Sequence, residues 1–341
     1  MRRGRLVLAV ALGTALGAAL AVAGSAAATT ARASAHAARQ DAPARWVAVS
    51  VATLWVKPRQ TRAVDAPSLT VPANPGAWVA AMSVAEKLWL VGHLETQALL
   101  GAKVYVLGTS GAWSRVAVAG QPTPREKLGY PGWLPTKQLT AHAPVTAKRE
   151  AVVTLPTTWL RATPALDGRV LQISYATRLP ALSWTDAAVE VVTPDGARAW
   201  VARAAVSLRA AAEQPEAPSG AQVVAEARRF VGLPYLWAGT SGFGFDCSGF
   251  TSSVFGVLGV TIPRDAGPQS TFGRAVQSRS ALRAGDLVFF RSSSGAVHHV
   301  GICVGGGRMI HAPSTGSAVT EVSLAAEPYA SEFAGGRRLT R

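Results

Sequence analysis

From residue 46 to 140 the chain alternates short apolar runs with Gly and Pro: "WVAVSVATLWV", "KVYVLG", "WSRVAVAG" and "GYPGWLP". Alternation over so few residues, bounded by turn formers, predicts the short strands of a small barrel or sandwich. Between them "SVAEKLWLVGHLETQALLG" has helical spacing, and Ser83 stands three residues before Glu86 in the pattern of a capping box. Residues 145–210 repeat the strand pattern more weakly in "AVVTLPTTWLRA", "RLPALSW", "AVEVVTP" and "ARAWVARAAVSL", so two small β-barrels in tandem are the simplest reading. Beyond 221 the period changes. "AQVVAEARRFVG" is an amphipathic helix, and "FDCSGFTSSVFGVLG" is a second helix ending at Gly256 or Gly259. "GDLVFFR", "HHVGICVG" and "RMIHAP" then read as strands, and helix followed by antiparallel meander is an α+β domain.

Composition breaks separate these segments. One lies near Thr140-Ala141-His142-Ala143-Pro144, and the other is the polar, Pro-containing stretch from Glu213 to Gly220. The expected division is therefore 46–142, 143–212, a linker at 213–220, and 221–341. At the amino end Arg2, Arg3 and Arg5 precede an apolar run from Leu6 to Ala23, followed by Ala26-Ala27-Ala28 and Ala35-His36-Ala37. That is the pattern of a signal peptide over 1–28, leading into a disordered leader over 29–45. The run approaches the length of a retained membrane anchor, but its Ala and Gly content makes a weak one. A secreted, extracytoplasmic protein is expected.

The formal charge of +15 calls for an anionic partner. The basic residues are scattered, with no basic helix and no zinc-finger spacing, which argues against nucleic acid. For an exported protein the charge points to wall polymers or a membrane surface. The 341 residues are half apolar, with ten Trp, enough to bury several cores. No metal-ligand spacing is evident among six His and two Cys, and neither metal nor cofactor is expected.

The two cysteines, Cys247 and Cys303, could form a disulfide in an exported protein. Cys247, however, follows Asp246 at a predicted helix start, where the dipole and free backbone N–H groups favour a thiolate. A lone Cys before an apolar helix is ordinarily a small buried hydrophobe; the histidines change that. "HHVGICVGGGRMIHAP" reads as a hairpin with the loop Gly305-Gly306-Gly307. With three loop residues Val304 faces Arg308, Gly301 faces His311, and His299 shares a face with His311 on a diagonal, while His298 points away. A two-residue loop would put His299 and His311 on opposite faces. One imidazole to take the thiol proton and a second polar group to orient it is what nucleophilic cysteine chemistry requires.

At these residues the chain resembles a family. "GLPYLWAGTSGFGFDCSGF", "IPRDAGPQS", "AGDLVFF" and "HHVGICVGGGRMIHAP" are similar to the successive motifs of the NlpC-type cysteine peptidases, a papain-like superfamily. The resemblance covers roughly the last 120 residues and implies Cys247 as nucleophile, His299 as base and His311 as the orienting residue. Upstream, "VATLWV", "EKLWLVGHLETQALLGAKVYVLG" and "QPTPREKLGYPGWLPTKQL" resemble the first bacterial SH3-like domain of the γ-D-glutamyl-L-diamino acid endopeptidases. It implies that this barrel leans over the active site and that Glu95, Tyr130 and Asp265 receive the free amino end of a murein peptide. It also nominates Tyr235, Asp246 and Ser248 as substrate-binding, with the Tyr235 hydroxyl beside the oxyanion. Two positions depart from the family: Cys303 replaces an aromatic residue and Ala266 a hydroxyl.

The expected architecture is an α+β papain-like catalytic domain preceded by two all-β SH3-like barrels. The expected reaction is hydrolysis of the γ-D-glutamyl–diamino acid bond of murein peptides through a thioester on Cys247. Two alternatives stand beside it: a remodelling hydrolase that cuts intact peptidoglycan, and a wall-binding protein with a dead peptidase domain. The intact Cys247, His299 and His311 set speaks against the dead domain. A carboxylate pair for an amino end, which intact stem peptides lack, speaks against remodelling.

Overall fold

A computed structural model describes residues 42–211 and 215–341, so the expected signal peptide and most of the expected leader lie outside the described residues. The first seven strands are β1 (Ala44–Val47), β2 (Val51–Trp55), β3 (Leu94–Leu99), β4 (Lys103–Ser110), β5 (Trp113–Val118), β6 (Tyr130–Pro135) and β7 (Leu139–Thr140). They form one antiparallel sheet in the order β3-β2-β6-β5-β4-β1-β7. Strand β1 begins inside the segment expected to be leader, because Ala44 and Arg45 pair with Tyr105 and Val104 and so satisfy their backbone groups.

Strands β8 (Arg149–Val153), β9 (Thr157–Arg161), β10 (Arg169–Ser174), β11 (Arg178–Trp184), β12 (Ala188–Val192), β13 (Arg198–Ala202) and β14 (Val206–Ala210) build a second antiparallel sheet. Its order, β10-β9-β13-β12-β11-β8-β14, is the first order displaced by seven strands. Each sheet also carries a 3₁₀ turn before its last strand, Thr136–Gln138 and Arg203–Ala205. The two share one topology.

Residues 56–93 interrupt the first sheet with three short helices, α1 (Ala66–Leu69), α2 (Pro75–Ala81) and α3 (Val84–Trp89). Ser83 and Glu86 form the expected capping box: Glu86 N donates to Ser83 Oγ (3.3 Å) and Ser83 N to Glu86 Oε2 (2.8 Å). The helix is shorter than its sequence period suggests. Gly92, at φ +77°, turns the chain, and "LETQAL" becomes β3 by pairing with β2 from Val51↔Leu99 to Trp55↔Leu94. Tertiary pairing overrides the local helical spacing here. Its consequence is that Glu95 lies on a strand.

The last module begins with α4 (Gly220–Arg228), capped by Ser219. A small ribbon, β15 (Thr240–Ser241) and β16 (Gly244–Phe245), leads into α5 (Cys247–Val257), and α6 (Ala266–Gln269) follows. The sheet consists of β17 (Arg274–Val276), β18 (Leu287–Arg291), β19 (Val297–Gly305), β20 (Arg308–His311), β21 (Thr320–Ser323) and, after α7 (Tyr329–Glu332), β22 (Phe333–Arg338). Its order is β17-β22-β18-β19-β20-β21, and Phe250 and Val254 of α5 pack with Leu287, Phe289, Val300 and Ile302.

Ala44–Arg341 form one packed unit. Trp55, Trp78, Leu90 and Trp113 of the first module share a core with Leu236 and Ala238 of the last, while Val152 and Tyr175 of the second join Phe230, Phe245 and Phe250. Polar contacts fix the first seam. Gln97 on β3 accepts from Thr240 N (3.2 Å) and Ser241 Oγ (2.9 Å) through its side chain, and Trp237 Nε1 donates to Leu94 O (3.3 Å). Among the described residues no helix is long and apolar enough to cross a membrane.

Candidate active site

Cys247 is the first residue of α5. Asp246 caps the helix, its Oδ1 accepting from Gly249 N at 2.6 Å. Gly249 is obligatory there, because a Cβ would lie 2.0 Å from Gly239 O. The half-buried thiol borders a cavity of about 490 Å³ that is also lined by Glu95, Tyr130, Tyr235, Asp246, Ser248, Asp265 and His299. Every nominated residue but His311 therefore meets there, and His311 lies directly behind His299. A larger cavity of about 670 Å³ opens elsewhere between the modules, but it contains neither Cys247 nor a histidine. Cys247 and Cys303 are both free thiols, Cys303 being buried among Val288, Phe290 and Met309.

The histidine pair depends on hairpin register. The turn is not the expected three-residue loop. Gly305 pairs with Arg308, leaving the two-residue turn Gly306-Gly307 at φ +60° and +71°. Alone, that turn would put His299 and His311 on opposite faces. A bulge at Val304 shifts the register back, so Cys303 faces Met309 and Ile302 faces Ile310. His299 Nε2 then lies 2.7 Å from His311 Nδ1. Gly301 keeps this space open, since a Cβ would come within 2.8 Å of Met309 Sδ and 3.2 Å of His311 Cβ. His298 binds Glu332 Oε2 at 3.0 Å instead.

Electrostatics make this a neutral pair. Burial, then the charges of His311 and His298, lower His299 to about 3, and burial lowers His311 to about 4. The thiolate expected from the helix terminus alone is not favoured. Burial and then the Asp246 carboxylate push the Cys247 thiol up to about 12, against the pull of the Val300 amide, Arg264 and the Ser248 amide. Both groups are thus favoured in their neutral forms, a thiol and an imidazole between which a proton can pass.

Arg264, which the sequence motifs did not single out, organises the floor of the cavity. Its side chain is 2% exposed. Nη2 and Nη1 donate to Asp246 Oδ2 (2.7 Å) and Oδ1 (3.1 Å), Nη1 also to Ser248 Oγ (3.0 Å), and Nε to Thr96 Oγ1 on β3 (2.9 Å). Burial opposes its charge, but Asp246 more than restores it. Asp246 and Ser248, nominated to bind substrate, are thus engaged in holding the helix start. Arg264 Nη1 stands 3.8 Å from Asp265 Oδ1, too far for a hydrogen bond. Asp265 accepts instead from Tyr130 Oη at 3.1 and 3.0 Å, and burial raises its pKa. Burial likewise raises Tyr130 and Tyr235, keeping both hydroxyls protonated. Glu95 is held by Arg125, a second residue that the sequence motifs did not single out.

With this geometry established, known proteins give the assignment. Residues 232–338 match the model of the NlpC/P60 family, and 153–208 match that of the YKFC SH3b2 domain. A gamma-D-glutamyl-L-lysine dipeptidyl-peptidase of Bacillus cereus is 43% identical over 307 residues, covering 88% of this chain and 92% of that one. The chain belongs to the NlpC/P60 family. A Bacillus subtilis protein of the same name is 34% identical, covering 85% of this chain and 96% of its own. The crystal structure of an NlpC/P60 family protein from Bacillus cereus superposes with a TM-score of 0.82 at 41% identity, over 87% of this chain and all of that one. This NlpC/P60 chain is accordingly a cysteine peptidase whose second sheet is an SH3b domain.

Two outcomes follow from the buried groups. Arg264→Met leaves the Asp246 carboxylate buried and unpaired, so unfolding in urea should show a loss of about 3–5 kcal/mol. An unchanged midpoint would mean that the ion pair contributes nothing net. Second, the folded pKa values of His299 and His311, about 3 and 4, lie below the 6.5 of a free imidazole. Below pH 6.5 the unfolded chain binds more protons than the folded one, so stability is full above that pH and falls as pH drops towards 4. The melting temperature should trace this loss, and His311→Gln should flatten it.

Proposed function

We propose that this protein is a cysteine endopeptidase that hydrolyses the γ-D-glutamyl–diamino acid bond of murein peptides carrying a free amino-terminal L-Ala. The observation that carries the reading is the meeting of Glu95 and Tyr130, from the first sheet, with Asp265 at one end of the cavity that holds Cys247 and His299. A desolvated ammonium needs carboxylate partners, and a site assembled from two modules is positioned to read the end of a short peptide. The name borne by the two Bacillus relatives supports the same bond.

Cys247 is the nucleophile. His299 Nε2 is committed to His311, which leaves Nδ1 to take the thiol proton as sulfur attacks the γ-carbonyl. The Cys247 backbone N–H, at the first position of its helix, has no intrahelical acceptor, and with the Tyr235 hydroxyl it receives the oxyanion. His299 returns the proton to the departing amine, and water then resolves the thioester. The first sheet is read as a second SH3-like barrel, because it repeats the strand order of the SH3b module. The proposed modules are 46–142, with β1 reaching back to Ala44, then 143–212 and 221–341. The pattern of residues 1–28 supports export, and the charge of +12 that stays once Arg2, Arg3 and Arg5 are removed with them favours contact with anionic wall polymers.

Cys247→Ala should abolish hydrolysis with little change in melting temperature, and His299→Ala should remove nearly all activity. His298→Ala, which loses an exposed contact with Glu332, should remove little. Specificity decides between free peptides and intact wall. The wild type should prefer L-Ala-γ-D-Glu-diamino acid over its N-acetyl form by roughly a hundredfold in kcat/KM, the scale of one buried charged hydrogen bond. Asp265→Asn should lose most of that preference. Equal rates on both peptides would refute the amino-end site and favour a hydrolase of intact peptidoglycan.

A further inference from the structure

The amino-end site already holds a cation. Arg125 lies on the connection between β5 and β6, and its guanidinium enters the cavity of Cys247. Nη1 donates to Glu95 Oε2 at 2.5 Å and to Tyr130 Oη at 3.1 Å, and Nη2 donates to Glu95 Oε1 at 2.8 Å. Tyr130 Oη in turn donates to the Asp265 carboxylate. One nitrogen of Arg125 thus touches two of the three groups assigned to the substrate's ammonium and is one hydrogen bond removed from the third.

We propose that Arg125 is a displaceable counter-ion: it fills the ammonium seat of the empty enzyme, and a free amino end must exchange with it to bind. The inference rests on the amino-end reading above and adds a specificity-determining residue to it. Exposure makes the exchange feasible. The Arg125 side chain is 44% exposed, whereas Arg264, the other arginine lining the cavity, is 2% exposed and fixed by Asp246, Ser248 and Thr96. Glu95 is 14% exposed and stays in the cavity, while the guanidinium end is open to water, which can take over its donors when a second cation competes for the carboxylate. Removing Arg125 frees both Glu95 oxygens and one Tyr130 lone pair, and it removes a positive charge that repels the incoming ammonium. Both effects tighten binding of a free amine, and an acetylated amino end, which is neutral, gains neither.

The test is kcat and KM for L-Ala-γ-D-Glu-L-Lys and its N-acetyl form, in the wild type, Arg125→Ala and Arg125→Lys. Arg125→Ala should lower KM for the free amine and raise the preference over the acetyl form by about two- to fivefold, the scale of one exposed ion pair. Arg125→Lys, a compact charge without the guanidinium fork, should fall between the two. A KM for the free amine that is unchanged or higher in Arg125→Ala overturns the proposal, because the guanidinium then orients Glu95 or holds the substrate itself. Should Arg125→Ala fail to fold, the sign of the change in Arg125→Lys decides the question in the same way. A wild type indifferent to acetylation removes the amino-end site and this inference together, whereas a discriminating wild type whose preference does not rise removes the inference alone.

Discussion

A guanidinium withdrawn from water is the interaction on which the rest of this molecule depends. Arg264 could not be buried unless its donors were matched, because an unpaired charge in a protein interior costs several kcal/mol. The match comes from three directions at once: the carboxylate that caps the Cys247 helix, the hydroxyl next to Cys247, and Thr96 on a strand of the first sheet. Satisfying one side chain therefore fixes the start of α5 and the seat of β3 together. Neither could shift by an ångström without leaving a donor or a carboxylate stranded.

That constraint explains how a site can straddle a seam between modules. Glu95 neighbours Thr96 on β3, and Asp265 follows Arg264, so each of these two carboxylates is one position from an anchor of the buried network. The shared core of Trp55, Trp78 and Leu236 and the Gln97 contacts with Thr240 and Ser241 reinforce the same seam. The burial that secures the frame also sets the chemistry. It raises Cys247 and lowers His299, and so favours the neutral thiol and the neutral imidazole.

Much of this was legible in the sequence. Alternation marked both sheets, and "FDCSGF" put a cysteine at a helix start. The apolar periods of β18 to β20 gave the strands that carry the histidines. What escaped had physical causes. The shared face of His299 and His311 was expected from a three-residue loop, yet it arises from a two-residue turn and a bulge; parity is the same, and sequence cannot separate the two. "HLETQALLG" satisfies helical spacing, and only its partner β2 decides for a strand. Arg264 and Arg125 were invisible because an arginine's role depends on burial and on partners far along the chain, and no local pattern encodes either. The helix dipole was legible at Cys247, but the desolvation that outweighs it was not.

The two arginines of the cavity show how burial alone divides identical chemistry into opposite roles. Both forks grip a carboxylate through two nitrogens. Around Arg264 water cannot replace any lost bond, so each donor is committed and the residue behaves as part of the backbone. Around Arg125 water can replace them, so the same fork is held by a small free-energy difference and is open to competition. The buried arginine fixes the start of α5 and the seat of β3, and the exposed one balances the charge of Glu95.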